Sequence, residues 1–177
     1  MSNLRLINET LTQSFVAEIS IDNIFTTDFD VYKITIGNCE YEPTGTDVVD
    51  MRFRFRNSSG STISASNYSA ARMQMKAEAT KDEDKITDQP YIYGICLVGN
   101  SDNAAGHALV YNPADSSSYT FITGQGAGGY DTSNHKWRMT KLVGVLEQAD
   151  TVSGLNIVSN NGQQFKADIR VYGLAIN

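Results

Sequence analysis

Apolar and polar side chains alternate along this chain from one end to the other, and that period of two constrains the fold more than any other feature. The clearest case is DVVDMRFRFRN at 47–57, where Met51, Phe53 and Phe55 take one parity and Arg52, Arg54 and Arg56 the other. Successive side chains of an extended strand point to opposite faces, so this segment carries one oily face and one cationic face. The same grammar runs through SFVAEISI (14–21), DVYKITIG (30–37), HALVYN (107–112), YTFITG (119–124) and HKWRMTKLVGVL (135–146). YIYGICLVG (91–99) is almost wholly apolar, which predicts a central strand covered on both faces. GLNIVSNNGQQFKADIRVYGLAI (154–176) reads as a hairpin with NNG at its tip.

Two segments need arbitration. AARMQMKAEATK (70–81) is rich in helix-favouring residues. Yet Ala71, Met73, Met75, Ala77 and Ala79 alternate with Arg72, Gln74, Lys76, Glu78 and Thr80, so a strand is expected. ATKDEDKITDQP (79–90) is the most polar interval and reads as a loop between strands. About nine strands joined by short polar turns predict an all-β fold, a two-sheet antiparallel β-sandwich of jelly-roll-like type. No Pro/Gly/Ser linker divides the 177 residues, so one domain is expected over 1–177, with 1–12 as an N-terminal attachment segment.

Charge and cysteine usage narrow the function classes. Fourteen Lys and Arg against twenty Asp and Glu give a net charge of −6, which argues against a nucleic-acid partner. Apolar runs are strand-sized, far short of the roughly 20 residues that span a bilayer, and no membrane partner is expected. MSNLRLINET lacks a cationic region followed by an apolar one, so synthesis in the cytoplasm of the producing cell is expected. Cys39 and Cys96 sit in apolar runs without CxxC spacing, which favours two buried thiols over a zinc site, with one disulfide between them as the alternative.

No constellation in the sequence spells out catalysis. Gly124, Gly126 and Gly129 fit G-x-G-x-x-G, but GYDTSNHKW follows without helical period, so a surface loop is expected and no cofactor. His107 and His135 have no metal-spaced partner, and no G-x-S-x-G elbow accompanies the serines. Asp82 and Asp84 in KDEDK belong to a solvated loop, with calcium as a minority reading; no metal site is predicted. Most tyrosines, together with Trp137, are expected to fill the core. Gly126 and Tyr130, with Asp82 and Asp84, form the candidate ligand-binding loops, suited to a carbohydrate. The arginine stripe of Arg52, Arg54 and Arg56 pairs with acids on neighbouring strands or meets another subunit. With Leu4 and Leu6 it makes the candidate interface.

Four stretches in order carry a family likeness: NLRLINET at the start, IFTTDFDVYKITI (24–36), MRFRFRNSSGSTISASNYSAA (51–71) and the closing IRVYGLAIN (169–177). In that arrangement the chain resembles small β-sandwich structural proteins of tailed bacteriophages, marine ones in particular. The resemblance spans most of the chain and is weakest over 72–150. It implies a non-catalytic virion protein, either a capsid decoration or cement protein or a tail-fibre-like appendage module. It also implies a homo-oligomer, often a trimer, that contacts virion proteins such as the major capsid protein. A start almost directly at the domain, with no fibrous shaft, favours a decorating or capping module. A host-recognition module binding a cell-surface glycan is the alternative, and a small hydrolase on a sandwich scaffold stands behind both.

Overall fold

The computed structural model describes residues 4–42, 49–77, 81–98, 103–129, 137–160 and 162–175. Twelve strands make up the fold among them: β1 (Leu4–Leu11), β2 (Glu18–Ile21), β3 (Val31–Tyr41), β4 (Val49–Asn57), β5 (Tyr68–Lys76) and β6 (Lys81–Gln89), then β7 (Ile92–Val98), β8 (Ala104–Tyr111), β9 (Thr120–Gly129), β10 (Trp137–Leu146), β11 (Val152–Ser159) and β12 (Phe165–Leu174). They form two antiparallel sheets, one of eight strands in the order β1-β12-β3-β8-β9-β10-β5-β6 and one of four in the order β2-β11-β4-β7. From β1 to β5 the chain changes sheet at every step, the weave of a jelly-roll-like sandwich.

Alternation decides which side chains enter the space between the sheets. Tyr32, Ile34 and Ile36 of β3, Met51, Phe53 and Phe55 of β4, and Phe165, Ile169 and Val171 of β12 are all buried and belong to one core. Their opposite-parity neighbours are half-exposed. The contested segment is a strand, β5, paired residue by residue with β10 from Tyr68↔Leu146 to Lys76↔Arg138.

Several expectations are corrected. The 154–176 segment is not a hairpin: β11 pairs with β2 and β4, while β12 pairs with β1 and β3 in the other sheet. The turn reverses the chain, with Gly162 at φ 73°, but carries it across the core instead of into a ladder. β11 is buried along its whole length and is one of the two inner strands of the small sheet. KDEDK lies in β6, the edge strand of the large sheet, where charged side chains suit a row of unpaired backbone groups. Finally, β7 is an edge strand of the small sheet rather than a central one.

β7 lies unusually deep against the large sheet. Gly94 sits so close to β4 that a methyl group there would fall on the Met51 carbonyl. Ile95 drops into a trough of Gly106, Gly124 and Gly126, and a Cβ on Gly124 would come within 2.8 Å of its Cγ2. Gly126 is therefore a packing residue in β9, and the predicted surface loop around it is strand up to Gly129.

Candidate functional site

The arginine stripe takes up groups within its own chain. With Met51, Phe53 and Phe55 turned inward, Arg52, Arg54 and Arg56 line the outer face of the small sheet and are half-buried there. Arg56 is the most heavily bonded. Its Nε donates to Asp22 Oδ1 at 2.6 Å, its Nη1 to Ser20 Oγ and Thr62 Oγ1 at 3.1 and 3.0 Å, and its Nη2 to the Gly60 carbonyl. It thus ties the end of β2 to the turn after β4. Arg54 Nε donates to the Pro90 carbonyl at 3.0 Å. The Arg52 guanidinium lies 3.8 Å from the Tyr91 ring centroid, a cation–π stack.

A second cationic cluster closes the seam between β5–β6 and the small sheet. The inner parity of β5 carries Arg72, Gln74 and Lys76, past the edge of the apolar core. Arg72 Nη1 donates to Asp50 Oδ2 at 2.5 Å and its Nε to Asp84 Oδ2 at 3.0 Å, with the guanidinium 4.1 Å from the Tyr93 centroid. Lys76 pairs with Asp82. Burial pushes the Asp50 carboxyl upward in pKa, and Arg72 and Arg52 pull it partly back. Burial also works against the Arg72 charge, but Asp50 and Asp84 outweigh it and raise the Arg72 pKa. Asp50 Oδ1, Arg52 Nε and Gln74 Nε2 are buried with no hydrogen-bond partner among the described residues. The cluster is an ion lock between two sheets, with each carboxylate answering a cation.

The residues expected to hold a ligand are not gathered by the fold. Gly126 faces Ile95, and Asp82 and Asp84 stand on β6 bonded to Lys76 and Arg72. Tyr130 and His135 lie outside the described residues. His107 lies on the outer face of β8, paired with Thr35 and Gln125. No group of three or more His, Cys, Asp or Glu that could hold a metal exists among the described residues. Both cysteines are buried thiols, and burial pushes Cys96 up to about 12. Leu4 and Leu6 project from the outer face of β1, the other edge of the large sheet, and are 43% and 51% exposed.

The most distinctive surface is one that the pattern of single strands did not single out. On β5, β10 and β9 the inward parity carries Arg72, Gln74, Thr140 and Gly126, while the outward parity carries Met73, Met75, Met139, Val143 and Phe121. Met75, Met139, Val143 and Phe121 are 42–51% exposed, and Trp137 at the start of β10, expected in the core, is instead 46% exposed on this outward parity. Their registers put them side by side: Met75 opposite Met139, Ala71 opposite Val143, Val145 opposite Phe121. Shallow grooves run along this face, one floored by Ala71, Met73 and Val143 with Glu83, Lys85 and Lys141 at its sides. Contiguous exposed apolar area of this kind marks contact surfaces. The signal available in the sequence was the clean alternation of 70–77, but alternation does not say which parity faces inward.

No family model matches the chain, and no curated protein matches it. Among solved structures, a family 7 alginate lyase A1-II′ variant in complex with a substrate aligns at a TM-score of 0.26 and 8% identity. The alignment covers 84% of this chain and 63% of the lyase, so the chain spans less than two thirds of that protein's length. A likeness at that level carries no argument about fold or activity.

Proposed function

We propose that this protein is a non-catalytic structural component of a bacteriophage virion, a decorating or capping module of the capsid surface or of a tail-fibre-like appendage. The observation that carries the assembly role is the apolar outer face of β5, β10 and β9, where five large hydrophobic side chains stand 42–51% exposed beside one another. In a chain of net charge −6, such a face is costly to leave against water and gains by being covered. The exposed leucines of β1, within the N-terminal segment, offer a second contact at the opposite edge. The non-catalytic reading is supported by the seam, whose buried charges bind one another. The phage setting is supported by the four ordered sequence stretches.

The test is the protein content of purified particles. Virions banded from a lysate of the producing host, washed in high salt and quantified by mass spectrometry should contain this chain at a fixed copy number per particle. Particles that lack it while the lysate contains it refute the proposal.

A further inference from the structure

We infer that the outer face of β5, β10 and β9 pairs two copies of this chain about a two-fold axis running across the strands. The inference rests on reading this face as an assembly surface and adds the identity of its partner.

The strand register sets the pairing. Across the outer face the side chains form rows, each one residue pair further along the strands. One row reads Glu83, Met73, Lys141, and the next reads Lys85, Ala71, Val143. The row before them brings Met139 beside Ala127, and the row after them brings Val145 beside Phe121. A half-turn about an axis lying between the two central rows lays each strand over its own copy and exchanges the rows.

That exchange matches both size and charge. Glu83 falls over Lys85 of the second copy, and Lys85 over its Glu83, so two symmetric ion pairs close the rim. Met73 falls over Ala71, Met139 over Val145, and Ala127 over Phe121: long side chains meet short ones. The Lys141 stem lies over Val143. Stacked sheets interdigitate in this way about 10 Å apart, crossing at roughly 30°, an offset that the long Glu83 and Lys85 side chains can span. The alternative two-fold, parallel to the strands and through β10, would set Lys141 on Lys141. An isologous contact needs this kind of self-complementarity.

The size is adequate. The five strands from β6 to β8, about 4.8 Å apart, with some 24 Å of each strand, give a footprint on the order of 550 Å² in projection. Side-chain relief brings the accessible area toward the ~800 Å² per partner of a standard interface.

Sedimentation velocity of the full chain over a micromolar to submillimolar series tests the pairing. The wild type should sediment as a dimer. Val143→Arg, at a position 51% exposed, should be monomeric with unchanged circular dichroism, and should lack the concentration-dependent rise in thermal midpoint that dimerisation gives the wild type. Glu83→Lys should weaken dimerisation by about tenfold or more, by setting lysine against lysine, and Glu83→Lys with Lys85→Glu should restore it. A monomeric or trimeric wild type, a dimeric Val143→Arg, or a double swap weaker than Glu83→Lys alone would overturn the pairing. The outcomes separate from those for virion assembly. A monomeric wild type whose Val143→Arg variant vanishes from particles overturns the copy-to-copy contact and leaves the face as a surface for another virion protein. A dimer broken by Val143→Arg, with normal particle content, supports the pairing and removes this face from assembly with the particle.

Discussion

Replacing Tyr68 with Phe deletes one oxygen atom, and the surroundings of that atom set the cost. The ring is fully buried in β5, and its hydroxyl accepts the Phe55 N–H at 2.9 Å and donates to the Ile63 carbonyl at 2.9 Å. One phenol thereby joins the large sheet to β4 and to the segment that follows it. In the variant a buried N–H and a buried C=O both lose their partner, each at about 1–3 kcal/mol, and the ring leaves no new cavity beyond the missing oxygen. A loss of about 2–6 kcal/mol is expected, with about 3 kcal/mol as a working value. At roughly 2–4 °C per kcal/mol for a domain of this size, a 3 kcal/mol loss lowers the thermal midpoint by about 6–12 °C. Titration supplies an independent signature. Burial pushes the Tyr68 hydroxyl up to about 12, against an ordinary value near 10 in the unfolded chain. The folded state therefore disfavours the phenolate. The stability this confers is complete below about pH 10 and is lost as pH rises from there toward about 12, to the extent of roughly 2–3 kcal/mol. Urea unfolding of wild type and Tyr68→Phe at pH 7 and along an alkaline series reads both effects, with Tyr172→Phe on the outer face as a control expected within about 0.5 kcal/mol. A deficit under about 1 kcal/mol at pH 7, or the same alkaline decline in both proteins, would refute the reasoning.

Arg72→Leu strips the cation from Asp50 and should cost about 3–5 kcal/mol at neutral pH by urea unfolding. Without Arg72 the Asp50 carboxyl titrates higher still in the folded state, so the deficit should shrink as pH falls through that value. A deficit independent of pH, or one that Asp50→Asn fails to relieve, counts against the ion lock. Gly94→Ala should prevent β7 from pairing with β4 at its present spacing, because the new methyl meets the Met51 backbone. A destabilisation of about 4 kcal/mol or loss of soluble protein is expected, and a fully stable variant would show that the strands separate freely. Neutralising Arg52, Arg54 and Arg56 together should lower stability as well as any assembly, because Arg56 holds Asp22 and the Gly60 carbonyl. Limited proteolysis should find the 57–61 turn newly cleavable, and unchanged protection would contradict that role.

Much of the sandwich could be read from single strands, because burial of one parity writes itself directly into alternation. β3, β4 and β12 face the way that Ile34, Phe53 and Ile169 demand. What escaped depends on relations between strands. The NNG turn reverses the chain but does not choose its ladder partner, and β11, buried along its whole length, is covered between β2 and β4. Charged residues at Lys81–Lys85 look like a loop when strands are expected to be half-apolar, yet an edge strand tolerates charge and gains protection from it. In β5 the parity was legible and its orientation was not. Arg72, Gln74 and Lys76 face inward because Asp50, Asp82 and Asp84 wait there, acids more than twenty residues distant or on another strand. The methionines face outward as a result. The candidate surface was thus hidden in a property of three strands taken together.

The glycine trough under Ile95 has a bearing on how this protein would look to anyone scoring substitutions without its fold. Gly106, Gly124 and Gly126 come from two neighbouring strands and meet at one residue of the opposite layer, the first two at the Ile95 side chain and the third at its carbonyl. Every larger residue at those places would lever β7 away from the eight-stranded sheet. A saturation scan would therefore report a tight knot of intolerant positions within GQGAGG, resembling the signature of a nucleotide pocket. The selective force behind that knot would be the thinness of the molecule at one crossing point.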